Sequence, residues 1–99
     1  MSANCHVVNN NCSANGGAGI RSIDGGNFSR IESNHVSGNK AGIVVESPFN
    51  LVIRNSATDN ADHSPGAHFE VNYDIVPANT VGPIAFNLDN DLNPHANYS

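Results

Sequence analysis

The chain has no tryptophan, one methionine, two cysteines and only four basic residues among its 99 positions. Each shortage closes off a class of function. Arg21, Arg30, Lys40 and Arg54 stand singly, and the net charge is −5 at neutral pH. A phosphate backbone is held by clustered Lys and Arg, so nucleic acid is not an expected partner. An anionic membrane surface asks for the same clustering. No apolar run approaches the roughly 20 residues of a membrane-spanning helix. Residues Met1 to Asn11 offer neither a basic n-region nor a long apolar h-region, so they do not read as a signal peptide. Cys5 and Cys12 are too few for a disulfide framework. They could close one bridge, but two half-buried thiols are the expected state.

Charged residues make up 13% of the chain, about half the usual share. Asparagine replaces them, at seventeen positions. A chain this short makes one domain at most and buries a modest core.

The asparagines are phased. Asn34-His35-Val36-Ser37-Gly38-Asn39 returns 21 positions later as Asn55-Ser56-Ala57-Thr58-Asp59-Asn60. It is preceded, 24 positions earlier, by Asn10-Asn11-Cys12-Ser13-Ala14-Asn15. Ala18-Gly19-Ile20 follows the first phrase and Ala41-Gly42-Ile43 the second. Turn signals come next, at Asp24-Gly25-Gly26-Asn27 and Ser47-Pro48-Phe49-Asn50. No window sustains helical spacing, because Gly and Asn interrupt each candidate. Each unit therefore holds two or three short extended segments. Val7, Ile31 and Val52 fall in one inward column, Cys12, Val36 and Ala57 in a second, and Ile20 and Ile43 in a third. Alternation then turns Arg21 and Val44 outward.

Units of 21–24 residues match one coil of a solenoid, buried only by its neighbours. The Asn columns have two physical reasons. Asn tolerates the left-handed backbone of a sharp bend. Stacked Asn side chains also hydrogen-bond to one another as amide ladders. Asn10, Asn34 and Asn55 are expected to form one ladder, and Asn15, Asn39 and Asn60 another.

At this point the residues resemble a known family. The phrase N-x-V-S-G-N-x-x-G-I-x-V, standing at Asn34 to Val45, is similar to repeats of right-handed parallel β-helix proteins in the pectate-lyase-like superfamily. Asn72 to Ile75, Asn79 to Ile84 and Asn93 to Tyr98 resemble the last coil and closing tail of such bacterial proteins. The resemblance implies an all-β, right-handed, single-stranded parallel β-helix. It would hold about four short coils, roughly over residues 4–60, with an irregular last coil and cap over 61–99. It implies a structural C-terminal segment of a larger, secreted, carbohydrate-associated protein, extracellular or periplasmic. The alternatives are the remnant of a polysaccharide lyase, hydrolase or epimerase, or a glycan-binding surface. Polysaccharide is the partner implied, and no cofactor is. A solenoid needs atypical end units. Phe86, Leu88, Leu92 and Tyr98 are candidates to close the C-terminal end, while the N-terminal edge is expected to self-associate. Strands are expected over Phe69 to Tyr73 and Thr80 to Leu88.

No residue is assigned as catalytic. Arg21 and Glu46 on the Ala-Gly-Ile face read as an ordinary surface pair. Asp24, Glu32 and Glu46 share no obvious face for a calcium ion. Asp59, Asp62, His63, His68 and Glu70 form the richest polar stretch, and Asp with His suits a transition metal. Their spacing fits no metal motif, so they stand as weak surface or metal candidates, with no metal expected. His6 and His35 read as surface residues. Gly16 to Gly19 opens no helix, which removes the phosphate-loop reading. The N-x-S sequences at Asn11, Asn27 and Asn97 are expected by chance in so Asn-rich a chain.

Overall fold

The structure, a computed structural model, describes residues 3–23, 25–61, 71–82, 84–85 and 97–98. Among these are β1 (His6–Val8), β2 (Asn11–Ser13), β3 (Ala18–Ser22), β4 (Arg30–Glu32), β5 (His35–Ser37), β6 (Ala41–Val45), β7 (Leu51–Ile53), β8 (Ser56–Thr58), β9 (Tyr73–Ile75), β10 (Thr80–Val81), β11 (Ile84–Ala85) and β12 (Asn97–Tyr98), and no helix. Every pairing among them is parallel. The first sheet runs β1-β4-β7-β10, the second β2-β5-β8-β12-β11 and the third β3-β6-β9. The chain visits the three sheets in turn and returns to the first one strand further along. The fold is therefore all-β and solenoid-like, and from β4 to β10 each strand is stacked on its counterpart from the preceding unit.

The register brings like residues together. Val7, Ile31, Val52 and Val81 align across the first sheet. Cys12, Val36 and Ala57 align across the second, and Ile20, Ile43 and Tyr73 across the third. Ile31, Val36, Ile43, Val45, Val52 and Ala57 are fully buried and form one core. Branched side chains suit these pleated columns. Cys5 and Cys12 are free, half-buried thiols.

The corners between sheets carry the Asn ladders. Asn34 Oδ1 accepts from the backbone N–H of Asn10 at 3.0 Å and from its Nδ2 at 3.0 Å. Asn55 Oδ1 does the same for Asn34, at 3.1 and 2.9 Å. Each Nδ2 also donates to a carbonyl of the preceding unit, Asn34 to Val7 and Asn55 to Ile31. The second ladder repeats the pattern from Asn15 through Asn39 to Asn60, and continues to Asn72. Asn34, Asn39, Asn55 and Asn60 are buried. Gly42 is fixed by the same packing, since a Cβ there would collide with the carbonyl of Asn72.

Several sequence expectations need correction. The ladder asparagines do not themselves take the left-handed bend. For the first three asparagines of each ladder, the preceding residue does. Asn9, Ser33 and Arg54 (φ 58°, 57° and 55°) precede the first ladder, and Ala14, Gly38 and Asp59 (φ 57°, 67° and 54°) precede the second. The bend exhausts the corner's backbone geometry, and the next residue is then free to aim its amide along the stack. Val44 lies outside the core cluster but is only 8% exposed, in register between Arg21 and Asp74 on the neighbouring strands. The strand expected to end at Tyr73 begins there, because Val71 and Asn72 form the corner before it. The strand expected over Thr80 to Leu88 is broken at Gly82, where β10 turns from the first sheet toward the second. Phe69, Phe86, Leu88 and Leu92 lie outside the described residues.

The end of the first ladder is out of sequence order. β12 is inserted between β8 and β11. Ile84 stands in register with Asn97 and, lacking an amide, cannot extend the ladder. Asn97 supplies the amide instead. Its Oδ1 accepts from Asn55 N–H and Nδ2, at 3.1 and 3.0 Å, and its Nδ2 donates to Val52 and Gly82 carbonyls, at 2.9 and 3.0 Å. Its side chain is fully buried.

Replacing Asn55 with Leu strands the backbone N–H of Asn34, one proton of its Nδ2 and the bond to the Ile31 carbonyl, while Asn97 Oδ1 keeps only the backbone N–H of residue 55. Each buried orphan costs about 1–3 kcal/mol, so the total is about 4 kcal/mol or more against a stability of about 5–15 kcal/mol. Asn55→Leu is expected to lower the melting temperature by more than about 15 °C or abolish the cooperative transition. Asn11→Leu, at an exposed position of β2, is expected to change stability by no more than about 0.5 kcal/mol. Equal melting temperatures for the two variants, read by circular dichroism, would overturn the ladder account.

Candidate functional site on the outer face of the first sheet

Since Val7, Ile31, Val52 and Val81 point inward, their neighbours on each strand point out. His6, Arg30, Leu51 and Thr80 form one outward column, and Val8, Glu32 and Ile53 the next. Glu32 gathers the charge on this face. Its Oε1 lies 2.7 Å from His6 Nε2 and 3.6 Å from Arg30 Nη1, and its Oε2 lies 3.4 Å from Arg54 Nη2. Three successive strands or their corners thus converge on one carboxylate, whose side chain is 12% exposed.

The His6 hydrogen bond holds the Glu32 carboxyl below the usual glutamate range. Partial burial opposes this, and the positive charges of Arg30, Arg54 and His6 add to it. Chemically this is a stable anion. A general acid needs a carboxyl whose pKa is raised toward the working pH, which is the opposite shift. The cluster fastens one unit to the next.

At the edge of the same face the corner into the first sheet carries a third side-chain column. Ser29 Oγ accepts from Cys5 N–H at 3.0 Å, Asn50 Oδ1 from Ser29 N–H at 2.9 Å, and Asn79 Oδ1 from Asn50 N–H at 2.8 Å. The left-handed residues before it are Asn4, Phe28, Phe49 and Ala78. The Phe28 and Phe49 rings stack with centroids 5.6 Å apart and planes 12° apart. A depression of about 480 Å³ lies beside them, bounded also by Arg30, Leu51, Ala78 and Thr80.

The third sheet's outer face holds the other pairing. Arg21 Nη2 donates to Glu46 Oε1 at 2.8 Å, with both side chains exposed. A shallow depression of about 440 Å³ there is bordered by Gly17, Arg21, Lys40, Val44, Glu46 and Val71. Glu32 and Glu46 therefore occupy different faces. Asp24 lies outside the described residues, as do Asp62, His63, His68 and Glu70. Asp59 is exposed at its left-handed bend. His35 is exposed on β5. Among the described residues no group of three or more His, Cys, Asp or Glu is placed to hold a metal ion.

Sequence reasoning missed the Glu32 cluster, the third corner column and the phenylalanine stack. All three carried a signal. Ser29 and Asn50, like Phe28 and Phe49, are 21 positions apart, the spacing of the recognised ladders. Glu32 follows Ile31 as Val8 follows Val7, but His6 reaches it diagonally, which column matching does not reveal.

Compared with known protein families, with curated proteins and with solved structures, the chain matches none.

A carboxyl whose folded pKa is lowered stabilises the fold above its unfolded pKa, and that contribution is lost as pH falls through the folded value. The stability gap between the native chain and Glu32→Gln is therefore expected to be full above about pH 4.3, the ordinary glutamate value, and to close progressively below it. Thermal melts across the acid range measure this. A gap independent of pH would contradict the pairing of Glu32 with His6 and the two arginines.

Proposed function

We propose that the chain is a structural segment of a right-handed parallel β-helix of the pectate-lyase-like kind. It comprises about four short coils and an irregular closing portion. Its role is to extend a solenoid within a larger secreted, carbohydrate-associated protein of bacterial type, without catalytic machinery of its own. The observation that carries this reading is where the polar groups are used. The phased asparagines are consumed in bonds along the stack. The outward carboxylates Glu32 and Glu46 each engage arginine. A polysaccharide would be contacted by the larger protein, along its outer faces.

A solenoid grows by addition at its edges. Among the described residues β1, β2 and β3 are each paired on one side only, so this edge offers backbone groups to another coil. Self-association through it belongs to the same proposal.

Tandem duplication of residues 28–48 adds one unit with Asn34 and Asn39 repeated in phase. The longer chain is expected to fold and to melt higher than the native one, because it gains one more interface between units. The same duplication with both copied asparagines changed to Leu is expected to melt lower. Assayed on acidic and neutral polysaccharides, the native chain is expected to release no products. Turnover that disappears in Glu32→Gln or Glu46→Gln would overturn the structural reading in favour of an enzyme remnant.

A further inference from the structure

Phe28 and Phe49 are poorly placed for stability alone. Both take the left-handed backbone, with φ of 56° and 62°, a region that bulky side chains rarely enter. Both are more than half exposed, at 66% and 58%. Asn or Gly would adopt this bend with less strain, and a polar side chain would be better solvated. Strain and apolar exposure coincide at matched positions of successive units, a combination that points to use rather than to packing.

The column also ends in a gap. Phe28 N–H donates to the Phe49 carbonyl at 3.0 Å, and Phe49 N–H donates in turn to the Ala78 carbonyl at 2.9 Å. Ala78 shares the bend, with φ 71°. The backbone thus continues the column by one step, but a methyl group stands where a third ring would stack. The depression of about 480 Å³ runs beside the column and reaches this step, bounded by Phe28 and Arg30 as well as by Phe49, Leu51, Ala78 and Thr80. That volume falls within the roughly 300–1,000 Å³ of small-molecule sites.

We propose that this depression binds a planar aromatic ring carrying a polar substituent, stacked on Phe49 above Ala78 as the third ring of the column. The existing pair defines the geometry, since offset stacking of aromatic rings is favoured at centroid separations of about 4.5–7 Å. Thr80 and Arg30 provide hydroxyl and guanidinium groups for the substituent. The site goes beyond the structural role, because nothing in the coil stack needs a ring at this corner.

The isotope-labelled full chain is titrated with phenol and, separately, with cyclohexanol, which has similar size but no aromatic face. Amide shifts at Phe49, Ala78 and Thr80 are followed by NMR. Phenol is expected to saturate these shifts with a Kd of about a millimolar, and cyclohexanol to bind at least about tenfold more weakly. Ala78→Phe fills the gap from within and is expected to abolish the response. Phe49→Leu removes the platform and is expected to do the same with the bend retained. If Ala78→Phe does not give a dispersed spectrum, Phe49→Leu and the ratio of the two probes decide. Equal affinity for phenol and cyclohexanol, stronger binding of a methyl pyranoside than of phenol, or binding unchanged in Phe49→Leu would each overturn the proposal.

Discussion

The buried corner amide is the interaction on which the structure depends. A coil this small must turn three times in each circuit, and each turn takes a backbone N–H out of its sheet ladder. Buried backbone donors need partners. Here the partner is the side-chain carbonyl of the next unit's asparagine, which accepts the corner N–H and the preceding amide together. Its NH₂ group then satisfies a carbonyl of the preceding unit. Aspartate in the same place would bury a charge, and an apolar residue would leave the donors stranded. A network of this kind stabilises only when it is complete, which explains why Asn97 is brought in from the far end of the chain to occupy a place that Ile84 cannot fill.

The same constraint accounts for the shape of the repeat phrase. Before the first three asparagines of each ladder the residue bends left-handed, and its identity varies among Asn, Ser, Arg, Ala, Gly and Asp. The Gly of each Ala-Gly-Ile segment stands against a neighbouring ladder corner, Gly19 facing Val36 and Asn39 and Gly42 facing Asn72. Core, bend and ladder are thus three aspects of one stacked unit. Among the described residues the buried asparagines are taken up by these bonds. The outer faces, among the described residues, carry the Glu32 cluster, the Arg21–Glu46 pair and the phenylalanine column.

How much of this is legible in the sequence follows from spacing. Columns repeating at 21 and 24 positions, such as Val7–Ile31–Val52 and Asn10–Asn34–Asn55, can be aligned by inspection. Asn72 and Asn97 cannot, since they lie 12 and 42 positions from the asparagines they join. The first partner precedes β9 in the same circuit as Asn60, and the second arrives by strand insertion. The third corner column is hidden because its members change from Cys5, through its backbone alone, to Ser29, Asn50 and Asn79. The Glu32 cluster depends on side-chain reach between columns, and the burial of Val44 on what its neighbours cover. Neither quantity is periodic.

The central claim is that asparagine side chains are structural hydrogen-bonding groups on a par with the backbone. Hydrogen exchange of the side-chain NH₂ groups, followed by NMR in native conditions, measures this directly. The Nδ2 protons of Asn34, Asn39, Asn55 and Asn60 are expected to exchange only through the opening that also releases the backbone amides of β4 to β8. The side chain of exposed Asn11 should exchange at the rate of a free amide. Ladder side chains that exchange as fast as Asn11, while the strand amides stay protected, would contradict the claim.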